Sequence, residues 1–308
     1  MRRYSHILCM LCAALVLRGV ADASGDDAPA DQPPTTNAPA VFTGGVAGVA
    51  DLADPDHSAR YRAAGGGLYL HNNGWQALTD AQRQRVLDIF DDAPIAIELG
   101  FNPIAGWPGL YEREYLRYGI EPDLIAANAF DRNNLPTPEQ WARYTRGMRA
   151  AGVGDDTRIL PTFEYANFGE NLATLTDNTL SRREDFQQIA DAAGGIVLDT
   201  PPQFFFEREQ AYRDWVLDAI RWCNAQGHHC VVIVSPHHAA ERFPEFVDRF
   251  VSYLEEHEAE VDAWVSENYH ADAPDDYANV VGDEDEPATT LGVGLRLLSR
   301  DIEEGSQD

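Results

Sequence analysis

The chain has 308 residues, of which 44% are hydrophobic and 10% aromatic, a composition that excludes an intrinsically disordered protein. It carries 51 acidic residues against 23 basic ones, a net charge of −28, which disfavours nucleic acid and anionic membrane surfaces as partners. A neutral or cationic substrate is easier to accommodate than a polyanion.

The first 60 residues predict two segments that precede the folded domain. Residues 1–23 have the pattern of a signal peptide: Arg2 and Arg3, an apolar run over residues 7–17, and a small-residue cleavage pattern at Ala21 and Ala23. Residues 24–60 begin with a stretch rich in Ala, Asp, Pro and Thr and predict a flexible linker. We therefore expect a periplasmic or secreted protein that has no membrane segment once the signal is removed.

The rest of the chain alternates short apolar runs with amphipathic helices, the pattern of parallel strands joined by helices. Thr79 or Asp80 caps one predicted helix, and Thr137 caps another that has Pro138 in its first turn. Eight strands are predicted, at residues 67–71, 95–99, 124–127, 158–163, 195–198, 230–235, 261–266 and 279–282. Together they predict one (β/α)8 barrel, a TIM barrel, over residues 61–305.

The cysteines and histidines give little sign of a metal centre. Cys223 and Cys230 are the cysteines that remain after the predicted signal peptide, and no second thiol pair accompanies them. Export would permit a disulfide between them, although the sequence leaves open whether their geometry allows one. His71 is the only histidine on the first predicted strand. No metal or other cofactor is predicted.

Each predicted strand ends near polar or ionisable residues, and the active sites of (β/α)8 barrels gather where the strands end. Packing does not call for carboxylates there, because buried charges are costly unless they are paired or solvated. Asp199 has three open interpretations: it orients a sugar hydroxyl, acts as an acid, or caps its loop. The candidate site residues are Asn72, Trp75, Glu98, Asn128, Glu164, Tyr165, Asp199, His237, Glu267, Asn268 and Tyr269, with Glu284 in addition.

Glu164 and Glu267 are the predicted catalytic pair, because they follow the predicted fourth and seventh strands on opposite sides of the barrel mouth. Two carboxylates that face each other across a cleft can cleave a glycosidic bond, one donating a proton and the other attacking the sugar carbon. The alternative is that each glutamate forms an ion pair with an arginine.

The segments Phe163-Glu164-Tyr165 and Val265-Ser266-Glu267-Asn268 resemble those of the clan-A superfamily of barrel glycoside hydrolases. In that superfamily the acid/base glutamate ends the fourth strand and the nucleophile ends the seventh. The resemblance implies that Glu164 is the acid/base and Glu267 the nucleophile of a retaining hydrolase acting on a poly- or oligosaccharide. The family usually has Asn before the fourth-strand glutamate, where this chain has Phe163.

Two other functions remain open at this point. The first is a polysaccharide lyase in which Tyr165, Tyr269 or His237 is the base of a β-elimination, a reaction that yields an unsaturated product absorbing ultraviolet light. The second is a sugar-binding barrel without catalytic activity.

Overall fold

A computed structural model describes residues 39–100, 104–128, 136–164, 183–208, 210–236, 240–269 and 281–304. Within these residues, eight parallel strands form a closed barrel in chain order. The predicted (β/α)8 barrel in a single domain is thereby confirmed. The strands are β1 (Ala40–Gly44), β2 (Gly67–His71), β3 (Ile95–Gly100), β4 (Leu124–Asn128), β5 (Arg158–Glu164), β6 (Gly195–Asp199), β7 (His229–Val234) and β8 (Ala263–Glu267).

Helices follow each strand and cover the barrel. Two of them begin with capping boxes, in which the threonine side chain accepts from a backbone N–H and the glutamine three residues on reaches back: Thr79 with Gln82, and Thr137 with Gln140. Among the described residues the helices are α1 (Ala59–Ala63), α2 (Asn72–Ala77), α3 (Asp80–Ile89), α4 (Trp107–Glu114), α5 (Pro138–Ala150), α6 (Glu184–Ala193), α7 (Pro202–Glu207), α8 (Gln210–Gln226), α9 (Phe243–Glu256) and α10 (Thr290–Glu304).

Side chains alternate between the two faces of each strand, so the barrel has an inner and an outer core. On β2, Tyr69 belongs to the inner cluster, whereas Leu68 and Leu70 belong to the outer cluster beneath the helices. The other residues of the inner cluster are Phe42, Ala96, Leu124, Ala126, Leu160, Val197, Val231, Ile233, Ala263 and Val265. The lower part of the barrel is therefore a packed apolar core.

The first strand of the barrel is absent from the sequence prediction. Ala40–Gly44 lies inside the predicted linker of residues 24–60, yet it pairs with both β2 and β8, and its Val41 is buried. The prediction failed because this strand is short and directly follows a composition typical of linkers. The linker prediction is therefore wrong from Ala40 onward.

The predicted eighth strand, residues 279–282, is also wrong. The described part of that segment, residues 281–282, is irregular, and the carbonyl of Val281 accepts from the N–H of Leu291 in α10 rather than from a strand. Because the first strand was missed, each of the first seven predicted strands is one place later in the observed order of the barrel. Glu164 consequently ends the fifth strand and Glu267 the eighth, not the fourth and seventh as the resemblance requires.

The two cysteines lie together at the junction of α8 and β7. Both Cys223 and Cys230 are buried free thiols. A hydrogen bond with the Cys223 thiol and burial raise the pKa of Cys230. Among the described residues, no helix is both long and apolar enough to cross a lipid bilayer.

Candidate active site

The strands end together at one mouth of the barrel, and there the inner face changes from apolar to polar. Successive inward positions on a strand are two residues apart, and the inward residue two positions beyond the apolar layer is polar for seven of the strands. In chain order these residues are His71, Glu98, Asn128, Thr162, Asp199, Ser235 and Glu267. The mouth therefore gathers ionisable groups from strands that are distant in sequence.

Gly44 occupies the corresponding position on β1, between Tyr69 and Glu267. It pairs in register with Tyr69 on β2 and with Glu267 on β8. A Cβ atom added at Gly44 would lie 1.8 Å from the carbonyl oxygen of Tyr69, so no larger residue fits. The missing side chain leaves room for Glu267 to approach the residues of β2 and β3.

Glu98 is the best-defined group of the mouth. It is 3% exposed, and its Oε1 accepts from the Asn128 side-chain amide at 3.1 Å and lies 3.5 Å from His71 Nε2. Its Oε2 accepts a hydrogen bond from the Tyr69 hydroxyl. Three donors from two strands, β2 and β4, therefore converge on one buried carboxylate.

The charge state of Glu98 follows from these contacts. Burial alone raises the pKa of a carboxylate, but the electrostatic interaction with His71 and the hydrogen bonds from His71, Tyr69 and Asn128 lower the pKa of Glu98 below its ordinary value. Glu98 is therefore ionised at neutral pH. Tyr69 remains a donor, since burial and then the charges of Glu98, Glu267 and Asp199 raise the pKa of its hydroxyl.

Glu267 adds a second buried carboxylate next to the first. The side chains of His71, Glu98 and Glu267 are all buried, and one nitrogen or oxygen atom of each lies within 4.8 Å of the others. A histidine with two carboxylates at such distances has the composition of a metal site. It is equally the composition of an acid–base site in which a proton moves between the groups.

The tautomer of His71 distinguishes these two possibilities. The backbone N–H of Asn73 donates to His71 Nδ1 at 3.2 Å, which makes Nδ1 an acceptor. The proton of the neutral ring therefore lies on Nε2, the nitrogen that faces Glu98. A metal ligand needs a free lone pair on that nitrogen, so the arrangement favours a His71 that donates to Glu98 over one that binds a metal ion.

Three other predicted site residues line the mouth or adjoin it. Asn128 is half-buried and holds Glu98, as described above, and Asp199 is half-buried at the end of β6. Tyr269 is half-buried two residues beyond β8. The structure thus brings Glu98, Asn128, Asp199 and Glu267 to one place.

Two predicted substrate-binding amides instead hold the backbone of the loops. The Asn268 side chain donates to the carbonyl of Ala47 at 2.5 Å and accepts from the N–H of the same residue at 3.4 Å. The side-chain oxygen of Asn72 accepts from the N–H of Gly100 at 3.4 Å. Both side chains are buried, so their described contacts stabilise the loops around the mouth.

The predicted aromatic platform at Trp75 lies in the core. Trp75 belongs to α2, is fully buried, and donates from Nε1 to the carbonyl of Glu114 at 2.6 Å. Glu284, a further candidate, accepts from the backbone N–H groups of Arg60 and Tyr61 and so caps α1. Neither residue is available to bind a sugar in this arrangement.

The remaining candidates lie outside the described residues. They are Tyr165 and His237, together with the side chain of Glu164, whose backbone pairs with Asp199 at the end of β5. The structure also adds a residue that the sequence analysis missed, Tyr69. The signal was present, because Tyr69 lies two residues before His71 on a strand and therefore shares its face.

Comparison with known proteins supports the fold alone. No family model matches the chain, and no curated protein matches it. Solved structures do match: KGPDC from Streptococcus mutans has 10% identity and a TM-score of 0.51, over 85% of this chain and 98% of that one. Cryptosporidium parvum pyruvate kinase has 10% identity and a TM-score of 0.49, over 85% and 70% of the two chains.

A glycoside hydrolase is also among the similar structures. A GH128 (subgroup I) endo-beta-1,3-glucanase from Amycolatopsis mediterranei, in complex with laminaripentaose, has 13% identity and a TM-score of 0.41, over 84% of this chain and 98% of that one. These proteins have unrelated activities and share a barrel fold with this chain. At such identities the similarity places the chain in no family.

Proposed function

We propose that this protein is a glycoside hydrolase that cleaves a poly- or oligosaccharide outside the cytoplasm through two carboxylates. The observation that carries the proposal is the meeting of Glu98 and Glu267, two buried carboxylates, at the mouth of the barrel. Their side-chain oxygens approach within 4.8 Å. Retaining glycosidases place their two carboxyl groups about 5–5.5 Å apart, and inverting ones about 6.5–9.5 Å, so the close approach of these side chains is the basis on which we propose retention.

The contacts of Glu98 suggest which catalytic role each of the two carboxylates has. Glu98 is held ionised by three donors, so it is the group suited to attack the sugar carbon or to stabilise the positive charge that develops there. Glu267 then donates a proton to the leaving oxygen and later activates water. His71, Tyr69 and Asn128 fix the orientation of the Glu98 carboxylate.

Glu164 remains a further candidate for the acid/base, as the resemblance implies. Its residue ends β5, beside Asp199. The variants Glu98→Ala, Glu267→Ala and Glu164→Ala therefore form one series, measured on a panel of glycans by the release of reducing ends. Glu256→Gln, an exposed carboxylate at the end of α9, is the matched control.

The expected result is loss of turnover by at least about a thousandfold in Glu98→Ala and Glu267→Ala, with Glu256→Gln unchanged. Added azide should restore turnover in Glu98→Ala by replacing the lost nucleophile. Rescue of Glu267→Ala instead would make Glu267 the nucleophile, as the resemblance implies, and would leave Glu98 or Glu164 as the acid/base. Full activity of both alanine variants would refute the two-carboxylate mechanism.

Other products of the same assay identify the alternatives. An unsaturated, ultraviolet-absorbing product would indicate a lyase, and glycan binding without any product would indicate a binding protein. For a hydrolase, proton NMR of the first product gives the anomer and hence retention or inversion.

A further inference from the structure

Beyond the predicted signal peptide the chain has two cysteines, and they lie against each other. Of its four cysteines, Cys9 and Cys12 belong to the predicted signal peptide, which leaves Cys223 on α8 and Cys230 on β7. Both of these side chains are 0% exposed and belong to the core between the barrel and its helices, and their thiols are joined by a hydrogen bond. The proposed hydrolysis uses neither thiol.

The turn between α8 and β7 fixes the backbone at both cysteines. Gly227 has a φ of 68°, a left-handed conformation that glycine adopts without strain, and the N–H of His228 donates to the carbonyl of Cys223 at 2.9 Å. On the strand, the N–H of Cys230 donates to the Asp262 carboxylate at 2.7 Å, and the carbonyl of Cys230 accepts from the Asp262 N–H at 2.9 Å. Backbone hydrogen bonds therefore hold each cysteine in place without a covalent link between them.

The side chains of the two cysteines are also directed at each other. Cys230 belongs to the outer core whereas its neighbour Val231 belongs to the inner one, so the Cys230 thiol faces the helices. Cys223 shares the buried face of α8 with Ile220, and this face packs on the same outer core. A disulfide requires two side chains that point toward each other from nearby backbones, and two thiols in hydrogen-bond contact meet this requirement.

We propose that Cys223 and Cys230 form a disulfide bond that joins the last turn of α8 to the start of β7. The bond forms by thiol–disulfide exchange with a disulfide-containing oxidant outside the cytoplasm. One cysteine attacks a sulfur of the oxidant as a thiolate and releases one thiol, and the other cysteine attacks the resulting mixed disulfide and releases the second thiol. The two cysteine protons pass to the released thiols, so the pair is oxidised and the oxidant is reduced.

Burial decides when this exchange occurs. Neither sulfur is exposed in the folded barrel, so an oxidant does not reach the pair once α8 has packed against β7. Exchange therefore takes place in the folding chain, where the short segment between the two cysteines lets them meet rapidly. Packing afterwards shields the disulfide from reductants. The inference goes beyond the proposed hydrolase function and shares with it only the location outside the cytoplasm.

The test determines the state of this one pair by peptide mass. The full chain is unfolded with reductant and refolded either in a mixture of oxidised and reduced glutathione or in reductant alone. Free thiols are then blocked with iodoacetamide in denaturant, and the protein is digested with trypsin. Because trypsin cleaves after arginine, Cys223 and Cys230 stay on one peptide, residues 222–242, whereas Cys9 and Cys12 are on another, residues 4–18.

We expect the peptide of residues 222–242 from the glutathione sample to lack both blocking groups and to be lighter than the reduced peptide by two hydrogen atoms. The Tm of this sample should exceed that of the reduced sample by roughly 4–8 °C. Cys230→Ala is the matched control, and its Tm should be the same in both samples because its packing loss is common to the two.

Two results would overturn the inference. The first is a refolded glutathione sample, with the circular dichroism spectrum of the barrel, in which both cysteines carry the blocking group. The second is a disulfide that forms without raising the Tm, since such a bond would distort the native packing around α8 and β7.

The same samples keep this inference separate from the proposed hydrolase function. Cys230 lies near the beginning of β7, at the opposite end of the barrel from Glu98 and Glu267, so the two samples should cleave glycans equally. A disulfide in a protein that cleaves no glycan supports the inference and removes the hydrolase. Blocked cysteines in an active hydrolase have the reverse meaning.

Discussion

Replacing Trp75 distinguishes a core residue from a sugar-binding platform. The side chain is fully buried, stacks on Tyr115 with ring centroids 6.3 Å apart, and meets Tyr118 edge-on at 5.6 Å. The Arg83 guanidinium lies 5.5 Å from the centroid of the Trp75 ring, and the indole N–H of Trp75 donates to the carbonyl of Glu114. Trp75→Ala would remove all of these contacts together.

The size of the effect follows from the kind of contact that is lost. Replacing a buried aromatic residue by alanine costs about 3–5 kcal/mol, and the orphaned Glu114 carbonyl adds roughly 1 kcal/mol or more. We therefore expect the free energy of unfolding to fall by about 4–6 kcal/mol. For a domain of this size that corresponds to a loss of roughly 10–20 °C in Tm.

Urea unfolding followed by circular dichroism measures this change, and Trp75→Phe covers the case in which the alanine variant does not fold. Phenylalanine keeps most of the packing but cannot donate to Glu114, so it should cost about 1–3 kcal/mol. Trp222→Ala, at a half-buried position on α8, is the control and should cost less than Trp75→Ala. A stable Trp75→Ala protein with weakened sugar binding would refute the core assignment.

Three further predictions concern the mouth. In Tyr69→Phe, Glu98 loses a hydrogen-bond donor that lowers its pKa, so the acid limb of the pH–rate profile should move to higher pH. The circular dichroism spectrum should stay unchanged. An acid limb at the wild-type pH would contradict this role of Tyr69. The pKa of Glu98 in the folded protein lies below its ordinary 4.5. The ionised Glu98 carboxylate therefore stabilises the fold fully above pH 4.5, and this stabilisation is lost as the pH falls through the folded-state pKa. The free energy of unfolding of Glu98→Gln, measured in urea, should not show this part of the loss at acid pH. Gly44→Ala should yield little soluble protein, since its Cβ would lie 1.8 Å from the Tyr69 carbonyl; normal yield and unchanged urea stability would contradict the close packing.

The barrel could be predicted from the sequence because most of its strands are apolar runs separated by amphipathic helices. Seven of the eight strands were found within a few residues of their observed bounds. Ala40–Gly44 was missed because five residues are too few to show a period beside a linker composition. Residues 279–282 were chosen as a strand because adjacent valines have the composition of a strand, whereas Val281 packs in the outer core and bonds to α10.

The site could be predicted only in part. Glu98 and Glu267 were candidates because each follows a buried apolar run, where packing does not require a carboxylate. Tyr69 was missed because an aromatic residue inside a strand looks like core until its hydroxyl is seen to bond Glu98. Trp75 and Asn268 were assigned to substrate because the sequence does not show that helix α2 and the Ala47 loop cover them.

The junction between β1 and β8 sets the order of assembly. These strands pair from Ala40 with Ala263 to Gly44 with Glu267, so the ladder that closes the cylinder joins its first and last segments. A ribosome adds about 5–20 residues per second, so β1 waits roughly ten to forty-five seconds for its partner. During that interval two sheet edges stay unpaired and open to other chains. Nascent copies of this protein should therefore depend on a holding chaperone until the last strand emerges.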